Sequence, residues 1–280
     1  MLYFVPTPIG NLGDMTLRAI ETLKKVDVIY AEDTRRTKQL LNHFEIDGRL
    51  RSYHEHNKDK VGEEVLEELR EGREIALVSD AGMPCISDPG LQLVRACVEA
   101  GISFTVLPGA TAFATAFAAS GIDANTFSFM GFLPKTSRHK KQVLAALSGE
   151  VHPYIFYESP HALQDTLRAM NEILGNRKIF IGRELTKLHE EYLRGDIAEM
   201  IRHFEEVEPR GEFVLVVEGA KESKDADAKP ESGGEIGNPL IDVLLARDFS
   251  VKDIAEIVSE VTGERKKSVY NRVLEKIGKK

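Results

Sequence analysis

An α/β fold is predicted, with two α/β domains in succession and a small helical segment at the end. Three observations carry that reading. Short β-branched or aromatic runs alternate with helical patterns over residues 1–120, at the spacing of right-handed βαβ crossovers. Three of those runs end in glycine-bearing turns, as strands do where a parallel sheet opens onto a ligand cleft. A charged stretch over 221–238, with Pro, Ser and Gly and almost no apolar residue, then separates the body from a tail at 239–280.

The first domain, 1–120, is expected to hold strands at Leu2 to Val5, Val26 to Ala31, Ile75 to Ser79 and Ser103 to Leu107. Helices are expected at Thr16 to Lys25, Thr34 to Phe44, Lys58 to Glu71 and Pro89 to Ala100. Asp88-Pro89 reads as a helix start, with an acid at the N-cap and proline at the first helical position. Gly101 reads as the C-cap. Ala110 to Ser120 is a helix of small residues and Phe, a composition that demands close packing against neighbours or a ligand.

The second domain, 121–220, carries expected strands at Phe127 to Phe132, Tyr154 to Glu158, Lys178 to Arg183 and Glu212 to Glu218. Helices near Ser137 to Leu147, Pro160 to Leu174 and Asp196 to Glu206 separate them, and more antiparallel pairing is expected here. The tail holds three short amphipathic helices, Leu240 to Arg247, Val251 to Val261 and Lys266 to Ile277. Its step Ser250 to Ala255 resembles the opening of a helix-turn-helix; a small bundle that docks on the body and a nucleic-acid contact both remain open.

Composition narrows the class. The 280 residues are 42% hydrophobic and 29% charged, ordinary for a soluble globular chain. No run approaches the roughly 18 apolar residues of a membrane span, and the first residues pass straight into a strand, so neither a membrane anchor nor a signal peptide is expected. Cys85 and Cys97 are the only cysteines, which excludes a disulfide framework and a zinc ribbon and fits reduced thiols in a cytoplasmic setting. A net charge of −8 argues against coating nucleic acid by bulk charge but allows a local basic patch.

Neither the dinucleotide fingerprint G-x-G-x-x-G nor the G-x-x-x-x-G-K-[ST] loop is present, so no dinucleotide or ATP site is expected. Instead Val5 to Thr16 is a strand running into a tight loop with two glycines and two prolines. Asp80 and Gly82 follow the strand at 75–79, where a carboxylate can meet an ammonium or a ribose hydroxyl, or cap a turn. Pro108-Gly109-Ala110-Thr111-Ala112 opens the small-residue helix, whose N–H groups suit a carboxylate or a purine edge.

The segments Thr7-Pro8-Ile9-Gly10-Asn11-Leu12-Gly13-Asp14, Ala31-Glu32-Asp33-Thr34-Arg35, Ser52-Tyr53-His54-Glu55-His56-Asn57, Ser79-Asp80-Ala81-Gly82-Met83-Pro84, Leu107-Pro108-Gly109-Ala110 and Gly131-Phe132-Leu133-Pro134 together resemble the tetrapyrrole-methylase-like class of S-adenosyl-L-methionine methyltransferases. Within it they resemble the branch that places a 2′-O-methyl on a cytidine ribose in the decoding region of small-subunit (16S) ribosomal RNA. The resemblance runs from about Leu2 to Gly219. It implies two α/β domains with the cofactor in the cleft between them, a homodimer, and the small ribosomal subunit as partner. Carried over residue by residue, it puts Pro8, Asp80, Gly82, Met83, Pro108, Gly109, Ala110, Thr111 and Ala112 on the cofactor, with Tyr157, Pro209 and Gly211 closing over it.

Ribose methylation needs the methyl group aligned with the 2′-oxygen, a destination for the hydroxyl proton, and a held RNA backbone. Asp33 is the first candidate for the 2′-hydroxyl, against the alternative that it caps the next helix. Arg35 and Arg36 form a basic rim suited to phosphate. His56 is the second candidate for a catalytic role, contacting the ribose or base, and Asn57 is read with it as lining the RNA pocket. His54 and His56 alternate as metal ligands do on a strand, but no cysteine or acid pair completes a set, so no metal is expected. Lys135, Arg138, Lys140 and Lys141 form the densest basic stretch of the body, with Phe132 beside it to stack on a base. Two other classes remain in view: a methyltransferase of the same fold acting on a tetrapyrrole or on diphthine, and a non-catalytic RNA-binding protein. The basic segments and the tail weigh against the first; the closely packed glycine loops weigh against the second.

Overall fold

The computed structural model describes residues 1–221, 240–245, 247, 249–262 and 264–278. They form two compact units, Met1–Ala220 and Lys221–Lys280. The charged linker expected over 221–238 falls outside the described residues apart from Lys221, as does Pro239 at the start of the tail.

The first unit contains two five-stranded sheets. One is built from β1 (Leu2–Val5), β2 (Val28–Ala31), β3 (Leu50–Ser52), β4 (Ile75–Val78) and β5 (Phe104–Val106), in the order β3-β2-β4-β1-β5. Every pairing in it is parallel. The sequences LYFV, VIYA and IALV are apolar along their whole length because both faces of a parallel sheet are covered. Leu2, Phe4, Val28, Tyr30, Ile75 and Leu77 pack with α3 (Lys58–Arg70) and α4 (Leu91–Ala100) on one face. Val5, Ile29, Ala31, Ala76 and Val78 pack with α1 (Leu17–Lys25) and α2 (Thr34–His43) on the other.

This arrangement sets the location of a site. β1 and β4 are neighbours, but the chain leaves β1 through α1 on one face and leaves β4 through α4 on the other. Two adjacent parallel strands whose connections part in this way leave a crevice at their carboxyl ends.

The second sheet holds β6 (Ser128–Phe132), β7 (Tyr154–Glu158), β8 (Lys178–Arg183), β9 (Glu191–Asp196) and β10 (Phe213–Val217), ordered β6-β7-β10-β8-β9. Only β6 and β7 pair in parallel; the remaining pairs are antiparallel, in line with the expected shift of character. Helices α6 (Ser137–Leu147), α7 (Pro160–Leu174) and α8 (Ile197–Glu206) cover one face. Helix α5 (Ala112–Ser120) lies on the other, with Ala116 fully buried against Ile155, Phe180, Val214 and Val216. That contact is the reason for the small residues of α5: a larger side chain at 116 would lift the helix off the sheet.

The second unit is a small bundle. Residues 240–245 are helical, followed by α9 (Val251–Thr262) and α10 (Lys266–Gly278). Ile241, Leu244, Ile254, Ala255, Val258, Val269 and Val273 form its core. Ser250 caps α9, its hydroxyl oxygen accepting from Asp253 N–H at 3.2 Å.

Three local expectations fail. β3 and β9 were not anticipated as strands. Helix α4 begins at Leu91 with Gly90 at the N-cap, so Asp88 does not cap it. Lys140 is not a surface cation: it is 7% exposed and donates to Thr166 Oγ1 at 2.8 Å, which in turn donates to Glu158 Oε2 at 2.6 Å. Lys141 is paired with Glu172 at 2.7 Å. The basic stretch of the body therefore reduces to Lys135 and Arg138, both exposed. Thr166→Val keeps the shape of the buried relay and removes its hydroxyl, stranding an ammonium and a carboxylate. It is expected to cost about 1–3 kcal/mol in denaturant unfolding; a change within about 0.5 kcal/mol would show that the relay carries no stability.

Candidate active site

The crevice between β1 and β4 is closed at its base by a reciprocal backbone pair. Thr7 N–H donates to Gly82 O at 3.0 Å, and Gly82 N–H donates to Thr7 O at 2.9 Å. Two buried hydroxyls brace it: Thr7 Oγ1 donates to Ser79 O at 3.1 Å and Ser79 Oγ to Gly82 O at 2.7 Å. The first loop then runs beneath the turn after β8. A Cβ on Gly10 would collide with the Lys187 side chain and sit 3.0 Å from Leu185 O, so only glycine allows this approach.

A cavity of about 390 Å³ opens above this base. Ile9, Gly82, Met83 and Ile86 line it from the first sheet, and Thr111 and Ala112 from the start of α5. Phe132, Tyr157, Glu158, Leu185 and Val214 line it from the second sheet and the turn after β8. The Tyr157 hydroxyl accepts from Phe113 N–H at 3.3 Å, which ties β7 to the first turn of α5. No side chain caps that turn at its N-cap, Thr111. Phe129 and Phe132 stand edge-on to Tyr157 at 4.9 and 5.5 Å between ring centres.

Three carboxylates line the cavity, and two are engaged. Glu158 accepts from Thr166 and from Ser159 N–H, and Glu212 from Lys187 Nζ at 2.9 Å. The third, Asp88, has no hydrogen-bond or ion-pair partner among the described residues. Burial, followed by the charges of Glu32 and Asp80, pushes its carboxyl up to about 7. The loop that carries it is tightly curled: Cys85 and Ser87 have φ of 68° and 66°, and Gly90 has φ of 133°. A Cβ on Gly90 would sit 2.8 Å from Cys85 Sγ and 2.9 Å from a Leu77 methyl, so the loop closes only with glycine there. Sequence reasoning passed over Asp88 because Asp-Pro is a strong helix-start signal; the Gly90 turn moves the start to Leu91 and leaves the acid facing the cleft.

Of the residues expected on the cofactor, Gly82, Met83, Thr111, Ala112 and Tyr157 line this one cavity. Pro8 and Asp80 immediately precede lining residues, and Pro108, Gly109 and Ala110 lead into Thr111. The Asp80 carboxylate points elsewhere, accepting from Asp33 N–H at 2.9 Å and lying 3.6 Å from Arg36. Pro209 and Gly211 are not among the lining residues; the turn contributes Glu212 instead. Asp33 caps α2, accepting from Arg35 N–H at 2.8 Å. Hydrogen bonds from the Arg35 side chain and backbone pull its carboxyl down to about 2. His56 is exposed outside the lining. Asn57 holds its own loop together, accepting from His54 N–H and donating to Ser52 O. Arg35 shares an open groove with Lys38 and Arg51.

A parallel sheet with a crevice at its switch point, roofed by a second, largely antiparallel sheet, defines a class of group-transfer enzyme. The family described as Tetrapyrrole (Corrin/Porphyrin) Methylases matches residues 1–201, and the chain belongs to that family of methyltransferases. Among its relatives, a protein of Halalkalibacterium halodurans named Ribosomal RNA small subunit methyltransferase I is 48% identical over 272 residues, covering 96% of this chain and 93% of its own. The protein of the same name from Bacillus subtilis is 54% identical over 220 residues, 79% of this chain and 75% of its own. That from Thermotoga maritima is 48% identical over 218 residues, which are 78% of this chain and 98% of its own. Among solved structures, the cobalt precorrin-4 methyltransferase CbiF superposes with a TM-score of 0.60 at 15% identity, over 78% of this chain and 94% of its own. A uroporphyrin-III-C-methyltransferase from Thermus thermophilus gives 0.55 at 20%, over 77% of this chain and 93% of its own. These two establish the fold.

The raised Asp88 carboxyl carries a stability signature. Its folded value near 7 lies above the ordinary 3.8, so its contribution is fully present below pH 3.8 and is lost as pH rises through 7. Asp88→Asn should therefore raise Tm by roughly a few °C at pH 8, with the gain shrinking as pH falls toward 4. A pH-independent difference in thermal unfolding would contradict the assignment.

Proposed function

We propose that this methyltransferase uses S-adenosyl-L-methionine to methylate the 2′-hydroxyl of a cytidine ribose in the decoding region of 16S ribosomal RNA, within the small ribosomal subunit. The observation that carries the reading is that the three glycine-bearing loops, and Tyr157 from the second sheet, meet at one cavity in a chain 48% identical to a named small-subunit RNA methyltransferase. The division into domains at 120/121, a homodimer and a cytoplasmic location are parts of the same proposal. Among the described residues no helix is long and apolar enough to cross a membrane.

The donor set fits the cofactor. Ile9, Ile86 and Val214 offer apolar surface to an adenine, and the uncapped start of α5 offers N–H groups to a carboxylate. When bound, S-adenosyl-L-methionine supplies a methyl group already activated by a sulfonium charge. The protein's own task is then to hold and orient. Tyr157, hydrogen-bonded to Phe113, keeps the roof in register with the helix start. Arg35 and Lys38 on one rim, and Lys135 and Arg138 by Phe132, provide cations for an RNA backbone.

Purified protein, labelled S-adenosyl-L-methionine and small subunits from a strain lacking the corresponding gene should yield label on a ribose of the subunit RNA. Label on a small tetrapyrrole or a protein alone would overturn the reading. Lys135→Ala with Arg138→Ala should raise the KM for subunits several-fold and flatten its salt dependence, with cofactor binding unchanged by calorimetry.

A further inference from the structure

We propose that Asp88 is the catalytic group that takes the proton from the substrate hydroxyl. The inference rests on the methyl-transfer reading above and adds to it the acceptor that the sequence left unassigned. Asp88 is the one cavity-lining carboxylate with no hydrogen-bond or ion-pair partner among the described residues. Glu158 and Glu212 are held by Thr166 and Lys187, while Asp80 receives Asp33 N–H and lies beside Arg36. Asp33 is bound twice by the Arg35 guanidinium and is held ionised far below neutral pH, which makes it a poor proton acceptor.

The surroundings of Asp88 favour proton uptake. Glu32, at the end of β2, and Asp80, after β4, raise its proton affinity by repulsion. Arg36 and His54 face Glu32 and partly offset it. Burial raises the Cys85 thiol on the same loop and the Tyr157 hydroxyl on β7, with the Asp88 charge adding to both, so both stay protonated at neutral pH. A carboxyl near 7 is matched to the operating pH, where a general base is most effective. The step balances: Asp88 takes the hydroxyl proton as the ribose oxygen–methyl bond forms and the sulfur–methyl bond breaks, with that bond's electron pair left on a neutral thioether. The sulfur is neutral after the step, and Asp88 returns the proton to water.

The test combines rate, binding and titration on the full chain. In the wild type, kcat/KM for subunits should fall about tenfold per pH unit below a limb near 7. Asp88→Asn should lose about 10²-fold or more in kcat and lose that limb. Its dissociation constant for S-adenosyl-L-methionine, by calorimetry, should stay within about threefold. Glu32→Gln removes one repelling charge and should move the limb to lower pH while retaining activity at pH 8. The cofactor-free proteins give an independent readout, since the Tm difference between Asp88→Asn and the wild type should grow as pH rises from 4 through 7. An Asp88→Asn enzyme that keeps its rate and limb overturns the inference. So does a variant that loses rate in proportion to cofactor affinity, since Asp88 is then a cofactor ligand. A wild-type protein that binds cofactor and modifies no RNA overturns the function reading instead, and the Tm series separates that failure from this one.

Discussion

The reciprocal pair between Thr7 and Gly82 is the constraint on which the cleft depends. β1 and β4 run side by side, and their chains depart to opposite faces of the sheet. Without a tie the two loops would be free to splay. The backbone pair and the Thr7 and Ser79 hydroxyls hold them together, where water cannot compete for the bonds. With that base set, Gly10 lets the first loop pass under the turn after β8, and Tyr157 reaches the start of α5. The second sheet is thus placed over the first by contacts that start at the clasp.

Charge is distributed in opposite senses at the cleft and at its rim. Inside, Asp88 lines the cavity, and burial together with the nearby charges of Glu32 and Asp80 raises its carboxyl. Outside, Arg35, Lys38, Lys135 and Arg138 supply cations on a chain whose net charge is −8. Negative charge at the cavity repels phosphate, and a basic rim attracts it. On the proposed function this keeps the RNA backbone at the edge and admits only the reacting ribose. It also explains how an acidic chain handles RNA without a uniformly basic surface.

Elements with continuous apolar runs were legible because burial on both faces leaves no choice of residue: β1, β2, β4, β7 and β10 are of this kind. β9, with the sequence EYLRGD, is an edge strand that alternates and carries three charges in six residues, so it reads as a loop until β8 is there to pair with it. β3 is three residues long and half-exposed, and it too exists only through its partner, β2. The loops expected on the cofactor were legible from their glycines. Asp88 was not, because a local rule for Asp-Pro and a tertiary demand at Gly90 compete, and the tertiary demand prevails. Lys140 misled for a similar reason: one residue of a basic run turns inward to meet Thr166, and no pattern of neighbours announces it.

The loop from Cys85 to Gly90 is built against stability. Two non-glycine residues sit in the left-handed region, a conformation that costs of order 1–3 kcal/mol each. The acid they carry is kept from full solvation, near two like charges and without a partner. A fold seeking only to end β4 and begin α4 would place Asp88 at the helix cap, where its charge would be stabilised. Here the helix starts two residues later and the carboxylate is left in the cavity. The central strands can sustain that cost, since β1 and β4 are almost wholly buried. Strain, an unpaired charge and a displaced cap on one loop have a common consequence: a basic carboxylate at a defined point of the cleft wall. That is what a proton transfer coupled to methyl transfer requires, and packing alone has no use for it.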